Sequence, residues 1–292
     1  ANSITTVEEA QLPMSASNAV GLREYGLAVF VGILAGIGLA VVVDSLDTRI
    51  YSREQLEDLT DLPILATVPK GFVNLGDPRE LSPSVHVLRV EDAYRVLATN
   101  LQFLLEENPD LRTLMVTCAK APQEKALVAN SVVQALGERL GEVCLVETDL
   151  RHPSLAKALG IEDGPVLSDV LTQSKKSMQK LLDSLYRAGP GSEVAYLPAG
   201  LAMARPIGAL SSPRLDDILK YLISNKKAII VEAPPVTGIA DVSILAPSVD
   251  GIILVVRSGM SRRTELQEAL NQLRATRAQI LGLVFRENGA KS

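Results

Sequence analysis

Positions 25 to 43 read YGLAVFVGILAGIGLAVVV, 19 residues without a single charge. A helix of about 20 apolar residues crosses a bilayer, so residues 25–46 are expected to form a transmembrane helix. A cleaved signal peptide would start on a basic N-terminus and carry a shorter apolar core; a buried helix of a soluble domain is the other alternative. Ala28, Gly32, Gly36 and Ala40 recur at every fourth position. Such a smooth stripe lets two membrane helices approach closely, although glycine and alanine are common in membrane spans in any case. Arg23 precedes the run, and Arg49 and Arg53 follow it. The basic excess on the later side predicts that the remainder of the chain lies in the cytoplasm and that residues 1–24 lie on the opposite side. The sequence begins with Ala1 rather than Met, which reads as a processed protein or a piece of a longer one.

Turn residues Pro63, Pro69, Gly71, Gly76, Pro78 and Pro83 mark residues 47–90 as a juxtamembrane segment and linker. Within it, 52–60 reads as a short helix capped by Ser52, with Gln55 completing a capping box, and 62–69 as an extended piece. An amphipathic helix is expected over 91–107, with Ala93, Leu97, Leu101 and Leu104 on one face. Six short apolar runs then follow, at 114–118, 143–146, 194–197, 228–231, 252–256 and 280–285. Helical patterns such as 125–140, 213–224 and 262–276 separate most of them. Unbroken apolar runs alternating with amphipathic helices predict a parallel sheet covered on both faces. The fold class is therefore α/β, a doubly wound and mostly parallel sheet over 91–289, preceded by one transmembrane helix. Ligands of such sheets sit at the carboxyl ends of the strands, which directs attention to the loops after Cys118, Val146 and Val231.

Composition narrows the chemistry. Lys+Arg number 29 against 34 Asp+Glu, a net charge of −5, which argues against a nucleic-acid binder with its basic face. Two cysteines, Cys118 and Cys144, cannot build a disulfide framework, and with two histidines a zinc site of His and Cys is poorly supplied. Tryptophan is absent and aromatics are 3%, too few for base- or sugar-stacking platforms.

The three loops read CAKAPQEKAL, LVETDLRHPSL and IIVEAPPV. Strand-ending acids followed by Asp-x-Arg-x-Pro and by Pro-Pro are more specific together than any one of them alone. With them the chain resembles the bacterial tyrosine kinases of capsule and exopolysaccharide export, P-loop proteins joined to a polysaccharide co-polymerase membrane domain. The resemblance extends through VEEAQLP, LEDLTDLPILATVP, DAYRVLATNLQF, LPAG, LSSPRLDDIL and ADVSILAPSVDGIILVVRSGMSRRTEL. It implies that residues 1–24 are the tail of a truncated co-polymerase domain, whose first span and extracytoplasmic part would precede Ala1.

Against that family's pattern the active-site motifs are altered. The phosphate loop there reads Pro-Gly-Glu-Gly-Lys and then Ser or Thr. Aligned on the lysine, this chain has Ala121, Pro122, Gln123, Glu124, Lys125 and Ala126. Such a loop needs glycines to bring N–H groups against phosphate oxygens. Pro122 lacks an N–H, and Glu124 places an anion where phosphate would sit. Two like charges about 4 Å apart cost roughly 4 kcal/mol at an effective dielectric of 20, about three decades of affinity. Ala126 stands where a hydroxyl would bind Mg²⁺, while Lys120 falls where related ATPases carry a second lysine. Glu147 and Asp149 replace an Asp-x-Asp pair, and Glu232 replaces another Asp; Arg151 and Asp241 match family positions. Mg²⁺ demands near-octahedral contacts at about 2.1 Å, so a carboxylate moved out by one methylene fits it poorly. The bland alternative is that Glu147, Asp149 and Glu232 cap strand ends and pair with Lys125 or Arg151. Of the family's oligomerisation motif, Asp92 and Arg95 remain, with Ala98 in place of the second arginine. A tyrosine-rich tail, the family's phosphorylation substrate, is not found in FRENGAKS, and the last tyrosine is Tyr221.

The resemblance thus implies a membrane-anchored, catalytically impaired kinase-like domain of a bacterial plasma membrane, with its α/β part in the cytoplasm. It would scaffold or regulate chain-length control and export of a polysaccharide. Expected partners are the membrane, further copies of the chain, the polymerase and export machinery and a competent kinase homologue; nucleic acid is not among them. No cofactor is expected unless the altered site still works. In that alternative, an active autokinase, Lys125 would hold the β- and γ-phosphates of ATP, Asp149 and Glu232 would hold Mg²⁺, and Glu147 would activate a tyrosine hydroxyl. A nucleotide-gated ATPase switch is the third reading.

Overall fold

Leucine, valine and isoleucine dominate the uncharged run, and straight-chain and branched apolar residues favour a helix where no water competes for the backbone. In the computed structural model, which describes residues 22–70, 85–120, 125–187, 192–238, 240–276 and 279–288, this run forms α1 (Leu22–Ser45). At 1.5 Å per residue its 24 residues extend about 36 Å. Leu27, Phe30, Ile33 and Ile37 on it are all exposed, as the core helix of a soluble domain would not be. It is the one helix among the described residues long and apolar enough to cross a membrane.

The chain divides between Thr48 and Arg49 into two units. The second begins with α2 (Arg53–Glu57), β1 (Ile64–Val68), α3 (Val85–Glu107), β2 (Thr113–Cys118), α4 (Lys125–Leu140) and β3 (Val143–Glu147). Short helices α5 (Leu155–Leu159) and α6 (Leu167–Val170) lead to α7 (Lys175–Asp183), β4 (Tyr186–Arg187) and β5 (Val194–Leu197). Then come α8 (Ile207–Leu210), α9 (Pro213–Asn225), β6 (Ala228–Glu232), α10 (Asp241–Leu245), β7 (Gly251–Arg257), α11 (Arg263–Arg274) and β8 (Gln279–Arg286).

The strands form one sheet in the order β1-β8-β7-β2-β6-β3-β5-β4. Every described pairing is parallel except the two-residue β4, which runs antiparallel to β5. Side chains alternate across the pleat. Met115, Ile229 and Val231 face the core under α9, α10 and α11, while Leu114, Val116 and Ile230 face the core under α3 and α4. This is the doubly wound α/β arrangement expected from the six apolar runs, all of which are strands.

The expected boundary at residue 91 differs from the structure: the short helix and the extended piece expected within 47–90 are present but belong to the α/β unit, while the linker expected beyond them, 71–84, lies outside the described residues. Ile50 and Leu56 are fully buried, and Ile64–Val68 forms an edge strand paired with β8 from Ile64↔Leu283 to Val68↔Arg286. Pro63 and Pro69 flank this strand instead of marking a linker, because an edge strand tolerates proline at its ends. The helix expected over 91–107 starts at Val85. Ser52 does cap α2, its Oγ accepting from the Gln55 N–H at 3.3 Å. The return bond of the capping box goes one residue further back than expected: Gln55 Oε1 accepts from the Tyr51 N–H at 2.8 Å.

Candidate functional site

The carboxyl ends of β2, β3 and β6 converge on Lys125, the first residue of α4. Its Nζ donates to Asp149 Oδ2 at 2.7 Å and to Glu232 Oε1. Lys125, Asp149 and Glu232 are 6%, 2% and 1% exposed, so the ion pairs form with almost no water around them, where charge attraction is strongest and desolvation costliest. Burial works to strip the proton from Lys125, but Glu232 and Asp149 overcome it and hold the ammonium's pKa above its ordinary value. For Asp149 burial works upward, and the Lys125 charge, aided by the His152 N–H, wins and depresses it. Glu232 goes the other way. Burial pushes its pKa up to about 7 against the pull of Lys125, and its Oε2 has no hydrogen-bond partner among the described residues.

Glu147 does not join this triad. Its Oε1 accepts from the N–H groups of Ser154 (2.6 Å) and Leu155 (2.9 Å), and Oε2 accepts from the Ala199 N–H at 2.9 Å. Gly200 makes that last contact possible: its φ of +93° turns the loop after β5 in a conformation open chiefly to glycine. Both oxygens are therefore spent on backbone donors, and the proposed activation of a tyrosine hydroxyl by Glu147 is not supported by the geometry. Arg151, expected near a cofactor, forks onto Asp241, Nε to Oδ2 at 2.7 Å and Nη2 to Oδ1 at 3.1 Å, which ties the loop after β3 to α10. Lys120 is exposed and pairs with Glu265 at 3.2 Å on the rim of the site. Ala126 is buried and lines the cavity beside Lys125.

Asp92 and Arg95 lie elsewhere, on the exposed face of α3, 3.3 Å apart, with Glu138 of α4 at 3.9 Å from Arg95. The glycine-less stretch 121–124 lies outside the described residues.

Beside the triad is a cavity of about 970 Å³. Cys118, Val255, Pro235 and Met260 supply an apolar part of its lining. Burial pushes the Cys118 thiol up to about 12, so it is no thiolate nucleophile at neutral pH. Sequence reasoning missed the cavity's basic wall: Arg257 and Arg286 end β7 and β8, and Arg49 and Arg262 lie beside them. The available signal was an arginine closing each of two apolar runs, at the strand ends where ligands bind.

No group of three or more His, Cys, Asp or Glu side chains among the described residues is arranged to hold a metal ion. Asp149 and Glu232, the expected Mg²⁺ ligands, instead enclose an ammonium. A divalent cation would have to displace Lys125 from between them, and Glu232 with a pKa of about 7 is a weak anion at neutral pH. As arranged, the residues do not fit Mg²⁺.

No protein-family model matches the chain. EpsB of Ralstonia nicotianae is 25% identical over 293 residues, covering 97% of this chain and 38% of its own length. The tyrosine-protein kinase YwqD of Bacillus subtilis is 26% identical over 222 residues, covering 76% of this chain and 87% of its own. Among solved structures, the kinase domain of the Escherichia coli tyrosine kinase ETK superposes with a TM-score of 0.71 at 20% identity, over 83% of this chain and 97% of that domain. The chain thus spans well under half of EpsB's length, while the superposition takes in nearly all of the ETK kinase domain. The chain is a homologue of the bacterial tyrosine kinases and carries the fold of their kinase domains.

Proposed function

We propose that this chain is a membrane-anchored, catalytically impaired tyrosine-kinase-like protein that scaffolds or regulates polysaccharide chain-length control and export. The observation that carries the reading is the engagement of Lys125 by Asp149 and Glu232 inside the fold. In a working phosphate loop this ammonium faces the β- and γ-phosphates, and the acids face Mg²⁺. Here both acids already engage the ammonium, so a triphosphate must break two buried contacts of Lys125 before gaining any of its own. The loop sequence points the same way, with no glycine from Ala121 to Glu124 and no hydroxyl at Ala126.

The span α1 and the arginines after it, Arg49 and Arg53, support anchoring in a bacterial plasma membrane with the α/β unit in the cytoplasm. The exposed pair on α3 is a candidate contact with further copies of the chain. A competent kinase homologue and the export machinery are the remaining partners of this reading.

Calorimetric titration of the full chain in detergent with Mg-ATP, beside Lys125→Ala, tests the proposal, with mass spectrometry for phosphotyrosine. Absence of saturable Lys125-dependent binding and of phosphotyrosine is the expected result. Lys125-dependent binding with phosphotyrosine would establish the active autokinase instead, and binding with ATP hydrolysis alone would establish a nucleotide-gated switch.

A further inference from the structure

Helix α7 carries three lysines, Lys175 and Lys176 in its first turn and Lys180 one turn further on. Met178 and Leu182 turn inward and are buried in the core. With successive residues 100° apart, Lys176 and Lys180 fall on the opposite side of the helix, and all three lysines are exposed. None of them forms an ion pair or a side-chain hydrogen bond among the described residues. Asp169 on α6 pairs with none of them, and Asp183, at the far end of α7, accepts from the Tyr221 hydroxyl at 2.6 Å. This arrangement works against the helix. Cations in a first turn oppose the helix dipole, and like charges four positions apart repel each other. An anionic surface outside the helix relieves both.

The lysines also stand at one particular end of the sheet. The Leu167 N–H at the start of α6 donates to Pro198 O at 2.7 Å, just past the carboxyl end of β5, and α7 begins four residues after α6. The chain enters the α/β unit at the same end, where the Ile50 N–H donates to Ser261 O at 2.9 Å beyond β7. Four residues, 46–49, separate α1 from the fully buried Ile50, and so few extend at most about 18 Å.

We propose that the outer face of α7 docks on an anionic lipid surface, an inference that rests on the reading of α1 as a membrane anchor. In an anchored chain the short tether keeps the carboxyl end of the sheet within reach of the headgroups, so the lipid is met at high effective concentration. Each lysine brought to an anionic leaflet favours the docked state about fivefold. Ammonium groups on flexible stems suit a fluid layer of phosphodiester anions, because they need no fixed geometry.

The test uses the full chain in nanodiscs of phosphatidylcholine alone or mixed with phosphatidylglycerol. Acetic anhydride, an uncharged reagent, acetylates exposed lysines, and mass spectrometry reads the rate at each one. Lys176 and Lys180 should react about fivefold or more slowly in the anionic discs. Lys227, exposed at the opposite end of the sheet beside the start of β6, should react equally in both. Molar salt, with a Debye length of about 3 Å, should abolish the difference. In the double variant Lys175→Gln, Lys176→Gln, Lys180 remains as the reporter and should lose most of its protection. Equal rates in both discs, slow labelling in both alike, or protection that survives molar salt or the double variant would each overturn the proposal. A chain that fails to stay in the neutral discs would overturn the anchored reading and this inference with it. Retention there with equal labelling would overturn this inference alone.

Discussion

Lys125→Met deletes the ammonium between Asp149 and Glu232 while keeping most of the side chain's volume. Removing one partner of a buried ion pair costs about 3–5 kcal/mol, because the remaining charge is left without compensation. The two carboxylates respond by taking up protons. Asp149 loses the charge that depressed its pKa, and Glu232, already raised by burial to about 7, rises further. Carboxylates raised in the folded state above their unfolded values favour the fold at acid pH, and that contribution is lost as pH climbs through the folded pKa. The deficit of the variant is therefore smaller at pH 6 than at pH 8. For a unit of this size 1 kcal/mol moves the melting temperature by about 2–4 °C, which gives a loss of about 6–20 °C. Circular dichroism melting of the full chain in detergent at both pH values measures it. A variant melting within about 2 °C of the parent at both would refute the buried triad as a structural element, since a lysine waiting for phosphate contributes little to stability. Adding Glu232→Gln to Lys125→Met should recover part of the loss by removing one of the two stranded charges.

In the parent chain, Glu232 has a folded pKa of about 7 against an ordinary 4.5, so the native state binds the extra proton between those values and stability falls as pH rises from about 4.5 to 7. Glu232→Gln should flatten that slope in urea unfolding at pH 5, 6, 7 and 8, and an unaltered slope would contradict the assignment. Glu147→Gln turns an amide NH₂ toward one of the backbone N–H donors that the carboxylate now accepts from. A loss of about 1–3 kcal/mol in the same assay is expected; full stability would show those bonds to be dispensable. Arg151→Ala strips both hydrogen bonds from Asp241, which is 1% exposed. Because Arg151 is partly solvated, the expected cost is about 1–3 kcal/mol, read as faster amide exchange at the start of α10, and unchanged exchange there would refute the tie.

The six apolar runs were legible as strands because each is continuous, short and bounded by helical periodicity, the pattern of a strand covered on both sides. The triad was half legible. Lys125, Asp149 and Glu232 stand at or beyond the carboxyl ends of strands, but sequence cannot tell whether an acid there meets a ligand, a lysine or an N–H. Glu147 shows the difficulty: its role is set by the path of the chain around Gly200, some fifty residues away. The place of Ile64–Val68 in the sheet was not legible either. Five residues between two prolines carry no periodic signal of their own, and what makes them a strand is a partner far along the chain. The arginine wall escaped notice because attention to strand ends stopped at three of them.

That distant partnership orders events in time. Ile64 is synthesised more than two hundred residues before Leu283, the residue it pairs with, and β8 lies between β1 and β7. Closing so long a loop is entropically costly and slow. Until β8 has been made the sheet is therefore incomplete, and β1, the first of its strands to emerge, waits for the one strand it pairs with. A truncation that removes β8 would then cost the molecule two strands from its sheet, one at each end of the unit's sequence.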